Sequence, residues 1–432
     1  MKLWSKDATA TSQLVEKFTV GRDKEFDALM AVYDVQGSMA HVAMLTEQGI
    51  LTAAENEQVQ QALAQIKTEV AQEGFALPND VEDIHSYVEL LLTQRIGEPG
   101  KKIHTGRSRN DQVAVDIKLF LRAEILSIQQ EVGLLFDLLI DLSEKNKEKL
   151  IPGYTHLQMA MPSSAGLWLS GYAESLIDDL EVLAAAYAIT NKNPLGSGAG
   201  YGSSFPLNRR STTEKLGFAT LNWNSTYAQM SRGKTEKAVA TGIGFIAGTL
   251  SKLAYDCCLY INQNFGFIKF PDELTTGSSI MPHKKNPDVF ELIRGKCNRI
   301  QATPNELTLL INNLPSGYHR EMQLTKEILF PAMQDLKACL EMTRLMLSHM
   351  EVKDEILADE KYKYLFTVEA MNDLVNKGIS YRDAYREVGN QVDAGTFSYA
   401  YQQLHHTHEG SIGNLCLPEL QVAFAALSKK FA

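Results

Sequence analysis

A proline-free stretch of about forty residues constrains the fold of this chain more than any other feature of its sequence. Between residues 110 and 149 the only glycine is Gly133, and apolar residues recur at steps of three and four, the spacing of one helix face. These apolar residues are Ile117, Phe120, Leu121, Ile125, Ile128, Val132, Leu135, Leu139 and Leu142. A helix of this length would extend about 60 Å, which exceeds the thickness of a small domain.

Four further segments show the same helical periodicity, and clusters of glycine and proline separate them. These segments are residues 162–191, 228–264, 288–313 and 320–350. Strand signals are few, so we predict an all-α fold with an elongated central bundle of long helices over residues 106–354. Shorter helical patterns predict two smaller helical domains at the ends of the chain, residues 1–105 and 355–432.

The first long helix carries apolar residues on a second face as well. That face includes Leu134, Phe136, Leu138 and Ile140. A bundle made from one chain would leave this face exposed to water, which is unusual for a large apolar surface. We therefore predict that other subunits cover it and that the protein is a homo-oligomer.

The charge balance argues against one class of partner. The chain has 42 Lys and Arg against 52 Asp and Glu, a formal net charge of −10. A protein that binds the phosphates of nucleic acids needs a basic face, so we expect no nucleic-acid partner. Anionic small molecules remain open, because a local basic pocket can lie in an acidic protein.

Cysteine content and hydropathy predict a cytoplasmic protein. The number of cysteines, five, is odd, and they form no CxxC motif. This pattern is typical of a protein in a reducing compartment rather than of a disulfide-stabilised secreted one. The N-terminus shows no apolar segment of a secretory signal. The most apolar long window, residues 241–261, contains Lys252 and Asp256, so we interpret it as a buried helix and expect no membrane partner.

The segment TGSSIMPHKKNPD, residues 276–288, is the strongest candidate for chemistry. It lies between two long helices and combines Gly277, adjacent serines and two lysines. Backbone N–H groups in such a turn, and at the start of the next helix, bind anions well. The alternative is an ordinary mobile surface loop, which has a similar composition.

The segment HTGRSRNDQ, residues 104–112, precedes the first long helix. Ser108 is a candidate N-cap, with Asp111 in the place of the capping-box glutamate. Capping does not require Arg107 and Arg109, because cations are disfavoured at a helix N-terminus. Guanidinium groups match carboxylates and phosphates, so the two arginines indicate an anionic ligand.

Three further segments are candidates with structural alternatives: GYTHLQ (153–158), YHREMQLTK (318–326) and EDIH (82–85). His156 in the first could be a packing residue, the second could be an ordinary amphipathic helix face, and the third a surface carboxylate pair. His405, His406 and His408 lack an HExxH motif or a cysteine partner, so we predict no metal site there. No dinucleotide or P-loop motif occurs, and we predict no cofactor.

Together these motifs resemble the argininosuccinate lyase family of the aspartase/fumarase superfamily. TGSSIMPHKKNPD is similar to the GSSxMPxKxN loop of the superfamily, while HTGRSRNDQ, GYTHLQ and SGYHREMQLTKE are similar to segments of that one family. The resemblance covers roughly residues 15–345. It implies a three-domain homotetramer with a twenty-helix core, in which each active site draws on three subunits. It also implies reversible elimination of argininosuccinate to L-arginine and fumarate, in arginine biosynthesis, without cofactor or metal.

The resemblance also implies roles for individual residues. Ser278 matches the base that removes the proton, and His156 matches the histidine that assists loss of the guanidino group. Glu291 matches the carboxylate that orients this histidine. The main electrostatic task of the reaction is to stabilise a doubly charged intermediate, and the backbone amides of residues 277–283, together with Lys284 and Asn286, are suited to it.

A second set matches substrate contacts. Asn110 and Thr155 match contacts to a carboxylate, and Ser108 and Arg109 lie in the same motif as Asn110. The residues that match contacts to the arginine-derived end are Tyr318, Gln323 and Lys326, and Asp83 also corresponds to a substrate-side residue.

The sequence departs from the family pattern at a few positions. A common aspartate after Arg232 is Gly233 here, the usual RDxxRL run reads Asp178–Leu183, and the usual glutamine of the serine loop is His283. Two alternatives therefore remain: a related lyase that releases fumarate from a different succinyl adduct, and a crystallin-like structural protein without activity.

Overall fold

The computed structural model describes residues 13–78, 81–400 and 404–431. Residues 1–12, from which we predicted the absence of a secretory signal, lie outside these ranges. Helices dominate the described residues, which confirms the all-α prediction. The helices are α1 (Gln13–Val20), α2 (Asp23–Glu47), α3 (Ala53–Val70), α4 (Ile84–Ile96), α5 (Glu98–Lys101), α6 (Arg109–Lys145), α7 (Ala165–Thr190), α8 (Arg209–Lys215), α9 (Ser225–Met230), α10 (Lys234–Ile261), α11 (Asp288–Leu310), α12 (Thr325–Ser348), α13 (Thr367–Asn376), α14 (Tyr381–Asp393) and α15 (Leu417–Ser428).

Short strands form three two-stranded sheets among these helices. The strands are β1 (Leu150–Thr155), β2 (Gln158–Ser164), β3 (Lys192–Asn193), β4 (Thr220–Leu221), β5 (Ile268–Lys269) and β6 (Glu351–Val352). Strands β1 and β2 form an antiparallel hairpin, β3 pairs in parallel with β4, and β5 pairs antiparallel with β6. None of these sheets is large enough to form a core layer.

The five predicted long helices are present as α6, α7, α10, α11 and α12, with lengths of 23 to 37 residues. Their predicted boundaries extend too far. Helix α6 ends at Lys145 because the chain enters β1 at Leu150. The predicted helix over residues 228–264 is interrupted at Gly233, which has φ +75°, a conformation that favours glycine.

The chain forms two compact units, each assembled from three stretches of sequence. The first unit comprises the described residues within 1–128, 182–245 and 299–336, and the second comprises those within 129–181, 246–298 and 337–432. The division into domains at residues 1–105, 106–354 and 355–432 stays a prediction.

In the first unit, helices α2, α3 and α4 enclose an apolar cluster. Val35, Leu63 and Leu92 are completely buried there. Burying a side chain of this kind contributes roughly 1.5–3 kcal/mol. Helix α3 begins with a complete capping box between Thr52 and Glu55. This packing fixes the start of α4, where a predicted substrate contact, Asp83, is located.

In the second unit, aromatic rings anchor the β1–β2 hairpin. Tyr154 of β1 lies 5.5 Å from Phe265, and Phe265 lies 5.5 Å from Phe267, measured between ring centroids. Edge-to-face ring pairs at such distances add to the stabilisation from buried area. Phe267 directly precedes β5, so one aromatic cluster holds the hairpin and the chain that leads into the serine-rich loop.

The second apolar face of α6 is only partly exposed. Phe136 stacks on Phe424 of α15 with ring centroids 4.1 Å apart, and Ile140 is also buried within the chain. The prediction that other subunits cover these two residues was therefore wrong. Leu134 remains 50% exposed.

Helix α10 has the composition of a core helix. Among the described helices it is the one that is long and apolar enough to cross a membrane by length and composition alone. In this structure 56% of its most apolar window is buried against the rest of the chain. Core helices of folded domains pass the same test, in agreement with the predicted buried helix over residues 241–261.

Candidate active site

The first unit contains a cavity of about 210 Å³ with a highly charged lining, called here the charged cavity. Its lining residues are Val20, Asp23, Asp27, Glu82, Asp83, His85, Arg109, Asn110, Val113, Arg232, Tyr318, Arg320, Gln323 and Lys326. Six of the predicted substrate contacts are among them: Asp83, Arg109, Asn110, Tyr318, Gln323 and Lys326. These residues come from three separate sequence motifs, and the fold brings them to one place.

Two motifs meet where α4 and α6 begin. Asp83 is the N-cap of α4, and its carboxylate accepts a hydrogen bond from the backbone N–H of Ser86 at 2.7 Å. Arg109, the first residue of α6, forms an ion pair with Asp83 and donates to the Ser86 hydroxyl at 2.8 Å. Burial would raise the pKa of Asp83, but the charges of His85 and Arg109 more than offset this and lower it.

Ser108 caps α6, as predicted. Its hydroxyl accepts from the backbone N–H of Asn110 at 3.3 Å, and its own N–H donates to Asp111 at 2.9 Å. The other oxygen of Asp111 accepts from the N–H groups of Gly196 and Gly198. A glycine-rich loop, residues 196–202, thus encloses a carboxylate of the protein, and Ser108 does not line the charged cavity.

Arg107 differs from its neighbour Arg109. It is buried, donates to the Ser38 hydroxyl at 3.0 Å and is absent from the cavity lining. Burial lowers its pKa, and the charges of Asp34 and Asp111 oppose that shift. The prediction that both arginines face an anionic ligand therefore does not hold for Arg107, whose nearest charges are carboxylates of the protein.

Lys326 is the most strongly paired of the predicted substrate contacts. Its Nζ lies 2.5 Å from Asp23 and 2.7 Å from Asp27, and its side chain is 4% exposed. Burial would lower its pKa, but the two carboxylates raise it. Burial also raises the pKa of Asp23 to about 6, although the charge of Lys326 partly offsets this.

The segment around residue 320 is not the regular helix face that its spacing predicted. Residues Arg320–Leu324 form a 3₁₀ turn, and α12 begins only at Thr325. The amide of Gln323 donates to the backbone carbonyls of Thr19 and Val20 at 3.1 and 3.2 Å. This contact joins two segments that are about three hundred residues apart in sequence.

Several lining residues were missed at the level of sequence. Asp23 and Asp27 are spaced by four residues in α2, a signal that identifies one helix face but not its surroundings. Arg232 was noted only as a family position. Its guanidinium is buried, donates to Glu236 at 3.0 Å and to the Met322 carbonyl at 3.0 Å, and has one nitrogen without a partner among the described residues.

His156 lies in the second unit, at the tip of the β1–β2 hairpin. His156 and Leu157 form a two-residue turn with φ of 53° and 59°, as in a type I′ turn. Such a turn normally contains glycine or asparagine. Thr155 is the last residue of β1, and all three residues are exposed. The hairpin therefore projects its histidine into solvent within this chain.

The serine loop, residues 276–286, is closed at its base by two backbone hydrogen bonds. Thr276 N–H donates to Asn286 at 3.2 Å, and Asn286 N–H donates to Thr276 at 2.7 Å. The Ser278 hydroxyl accepts from the N–H of Met281 at 3.1 Å and more weakly from Ile280. Lys284 is exposed and has no ion-pair partner among the described residues.

The predicted catalytic residues do not contact one another in this chain. Glu291 is exposed in the first turn of α11, and no hydrogen bond joins it to His156 among the described residues. The same is true of His156 and Ser278. The second unit therefore carries the predicted chemical groups on separate exposed segments.

Comparison with known proteins identifies the family. The model of a lyase family matches residues 6–302. An argininosuccinate lyase of Bacteroides thetaiotaomicron is 55% identical over 419 residues, covering 97% of this chain and 94% of that relative.

Solved structures share the fold. An EDDS lyase variant with bound fumarate superposes with a TM-score of 0.77 at 23% identity, covering 98% of this chain and 91% of that one. A class II fumarase from Schistosoma mansoni superposes with a TM-score of 0.69 at 15% identity, covering 88% of this chain and 92% of that one. The family model matches more than half of the sequence, and the similarity to the Bacteroides relative extends over 97% of it. This chain therefore belongs to the argininosuccinate lyase family.

Proposed function

We propose that this lyase catalyses the reversible elimination of argininosuccinate to L-arginine and fumarate, as a step of arginine biosynthesis in the cytoplasm. The observation that carries the proposal is the charged cavity, because three distant motifs of the family supply six of its lining residues. A zwitterionic amino-acid end fits a lining that offers both carboxylates and cations. Tyr318, Gln323, Lys326 and Asp83 bind this end of the substrate.

The chemical step removes a proton from the carbon beside a carboxylate. The electron pair of the C–H bond forms the double bond of fumarate as the carbon–nitrogen bond to the guanidino group breaks. In the intermediate that precedes the break of the C–N bond, the carboxylate beside the reacting carbon carries two negative charges. Stabilising these charges lowers the barrier. Lys284, Asn286 and the N–H groups of residues 277–283 supply the positive charge and the donors.

Ser278 acts as the base in this proposal. An ordinary serine hydroxyl is too weak a base, so its deprotonated form must be stabilised. The N–H of Met281 already points at the Ser278 oxygen from 3.1 Å, and a hydrogen bond to the charged form favours that form. Lys284, six residues along the same loop, adds positive charge.

His156 assists the departure of the guanidino nitrogen by supplying a proton, directly or through water. Glu291 orients its imidazole, and Thr155, Asn110, Ser108 and Arg109 support the carboxylate of the succinyl part. Because Ser108 faces the start of α6, its contribution is to hold Asn110 in place through the hydrogen bond at 3.3 Å.

We further propose that the active protein is a homotetramer with a twenty-helix core and active sites shared between subunits. Two observations support this. His156 and Glu291 do not meet within one chain, and large apolar side chains remain exposed on long helices. Leu292 and Leu309 of α11 are each 66% exposed, and Phe245 of α10 is 51% exposed. Surfaces of this kind commonly mark subunit interfaces.

A single assay tests the reaction. Purified protein is mixed with argininosuccinate, and fumarate is followed by its ultraviolet absorbance. Turnover supports the proposed reaction. Turnover only with another succinyl adduct would identify a related fumarate-releasing lyase, and no turnover with any such substrate would identify an inactive, crystallin-like protein.

Shared sites are tested by complementation. Inactive His156→Asn and Ser278→Ala proteins are mixed, dissociated and reassociated. If the two residues of one site come from different chains, some reassembled sites carry neither lesion and activity partly returns. No recovery in proven mixed oligomers would contradict shared sites.

A further inference from the structure

A buried polar network lies behind one wall of the charged cavity. His85, on the first turn of α4, lines the cavity and is only 5% exposed. Its Nδ1 lies 2.6 Å from Oδ1 of Asp34 on α2, and the same oxygen accepts from the amide of Gln112 at 2.7 Å. Asp116 on α6 places Oδ2 3.6 Å from the same ring nitrogen.

Nδ1 is engaged with Asp34, so Nε2 is the nitrogen that His85 offers to the cavity. No hydrogen bond joins Nε2 to a described residue, and His85 lines the cavity. Nδ1 is therefore fixed by Asp34, while Nε2 remains available to a ligand in the cavity, as in histidines that act on a ligand.

The two carboxyl groups behind the ring are both completely buried, and they lie side by side. Oδ2 of Asp34 and both oxygens of Asp116 lack a donor among the described residues. Two adjacent carboxylates cannot both be ionised in a dry interior. One proton held between Asp34 and Asp116 supplies the missing donor and leaves a single negative charge against the imidazole.

A proton fits this cluster better than a metal ion. The nitrogen of His85 and the oxygens of Asp34 and Asp116 lie within 4.8 Å of one another, as metal ligands do. The separation of 2.6 Å between Nδ1 and Oδ1 is, however, a hydrogen-bond distance. Two ligands of one zinc ion, each about 2.0–2.2 Å from it, lie farther apart in tetrahedral geometry. The guanidinium of Arg107 already supplies a positive charge to both carboxyl groups.

We propose that Asp34, which shares a proton with Asp116, holds His85 as an imidazolium whose Nε2–H binds an anionic group of the substrate in the charged cavity. Asp34 and Asp116 are positioning residues in this scheme, and His85 is the residue that touches the ligand. The inference rests on the proposed function for the identity of the substrate, but not for the protonation state of the ring.

The electrostatic surroundings agree with this assignment. Burial would lower the pKa of His85, but Asp34 opposes burial and the net shift is upward. Burial raises the pKa of Asp116 well above its usual value, with Asp34 as the next cause, so Asp116 is the protonated partner. Burial alone would also raise the pKa of Asp34, but His85 and Arg107 lower it overall.

The remaining charged groups around the ring act in both directions. They are Asp27 on α2, Asp83 at the start of α4, Glu89 on α4, and His104, Arg107 and Arg109 before or at the start of α6. Asp83 and Asp27 favour the imidazolium, whereas nearby cations oppose it because like charges repel. Asp34, whose Oδ1 lies 2.6 Å from Nδ1, is the strongest of the charges that favour the imidazolium.

The charge of His85 decides the sign of the cavity. The lining contains four carboxylates, Asp23, Asp27, Glu82 and Asp83, and four cations, Arg109, Arg232, Arg320 and Lys326. Counted over the lining alone, and therefore without Asp34, the formal charge is zero with a neutral ring and +1 with an imidazolium. An imidazolium makes the cavity attractive to a ligand with net negative charge, such as argininosuccinate.

The proposal is tested by the pH dependence of KM. In the wild-type protein KM is expected to rise at alkaline pH, where His85 loses its proton and the cavity loses its positive charge. Asp34→Asn removes the counter-charge, so the pKa of His85 falls and the rise in KM moves to lower pH by at least one unit. At pH 7.5 KM then increases roughly tenfold, with kcat changed less than about threefold.

Three variants complete the design. In Asp116→Asn the amide still donates to Asp34, so the shift is expected to be less than half that of Asp34→Asn. His85→Gln is expected to abolish the rise of KM at alkaline pH. This variant tests the proposal if Asp34→Asn does not fold. Asp179→Asn is the matched control, because Asp179 is a buried carboxyl group with one unpartnered oxygen in the second unit.

Protonation of the ring is read independently from the NMR titration of His85, assigned by its absence in His85→Gln. If wild type does not convert argininosuccinate, the proposed function fails while this titration still decides the state of the ring. The inference is overturned if His85 is neutral at pH 7, or if the rise of KM at alkaline pH persists in His85→Gln. It is also overturned if a chelator abolishes activity and zinc or manganese restores it.

Discussion

The charged cavity and the serine loop use similar residue types but differ in how far these residues are buried and paired. In the cavity Lys326 is buried and paired with Asp23 and Asp27. In the serine loop Lys284 is exposed and unpaired among the described residues, and the hydroxyl of Ser278 is held only by backbone N–H groups. Buried, paired charges are rigid and selective, whereas an exposed loop can move and close over a ligand. This contrast is consistent with the roles proposed above, in which the cavity recognises substrate and the serine loop performs chemistry on it.

The largest expected effect separates chemistry from stability in the serine loop. We expect Ser278→Ala to lower kcat by about 10²–10⁴, the usual contribution of a general base. The free energy of unfolding should change by less than about 0.5 kcal/mol, because the loop is exposed. Fumarate release and urea denaturation measure the two quantities, with Ser279→Ala as the neighbouring control. A kcat close to wild type would show that Ser278 is not the base.

The converse effect is expected in the charged cavity. Lys326→Met leaves the buried Asp27 and the partly buried Asp23 without their counter-charge, so the free energy of unfolding should fall by about 3–5 kcal/mol. Lys285→Met is the matched control, because its ion pair with Asp272 is exposed and should contribute about 1 kcal/mol or less. Urea unfolding at equal protein concentration compares them. Equal losses in the two variants would remove the contrast between the regions.

The pH dependence of stability tests a second buried charge in the first unit. Lys118 is 2% exposed and donates to the Asn222 side chain at 2.8 Å, and burial lowers its pKa to about 7. Between pH 7 and the unfolded value near 10.5, the unfolded chain binds more protons, so this group makes stability rise with pH.

Replacing Lys118 by methionine should therefore flatten the stability profile over this range by a few kcal/mol. Lys252→Met, which removes an exposed lysine of α10, is the control and should leave the profile nearly parallel to wild type. Urea unfolding at several pH values measures the slopes. A slope that survives in Lys118→Met would have to come from other groups.

The smallest expected effect concerns the turn that presents His156. Leu157 has φ +59° and is 77% exposed, so its conformation is strained and its side chain gains little from packing within the chain. Leu157→Asn should stabilise the protein by about 0.5–1 kcal/mol, because asparagine tolerates this conformation. The change in Tm reports it. A lower Tm would show that Leu157 is covered in the assembled protein.

The sequence predicted the long helices well and their ends poorly. The apolar spacing of α6 depends on residues only three or four apart, so it can be recognised locally. The end of α6 at Lys145 and the start of β1 at Leu150 could not be recognised locally. They depend on the pairing of Leu150 with Ser164, which lies fourteen residues further along the chain. The break at Gly233 had a local signal, since glycine is the residue that adopts a positive φ.

The sequence identified candidate site residues, but not which of their side chains lie together in the folded chain. Asp83, Asn110 and Tyr318 were identified through motifs, and all three line one cavity, while their roles stay predictions. The burial of Arg107 was not predicted, because its motif places it beside Arg109 without showing that the two side chains point to different surroundings. The catalytic roles of Ser278 and His156 stay predictions.

The sequence by itself determined the helical class, the family and the set of residues that carry charge and chemistry. Periodicity and motifs are local properties, and a chain retains them before it folds. Only the tertiary structure decided which charges are buried together. Lys326 and Asp27 are 299 residues apart and lie 2.7 Å from each other. Asp34, His85 and Asp116 meet from three helices. The energy of such groups depends on the loss of water around them, and packing alone determines where that water is lost.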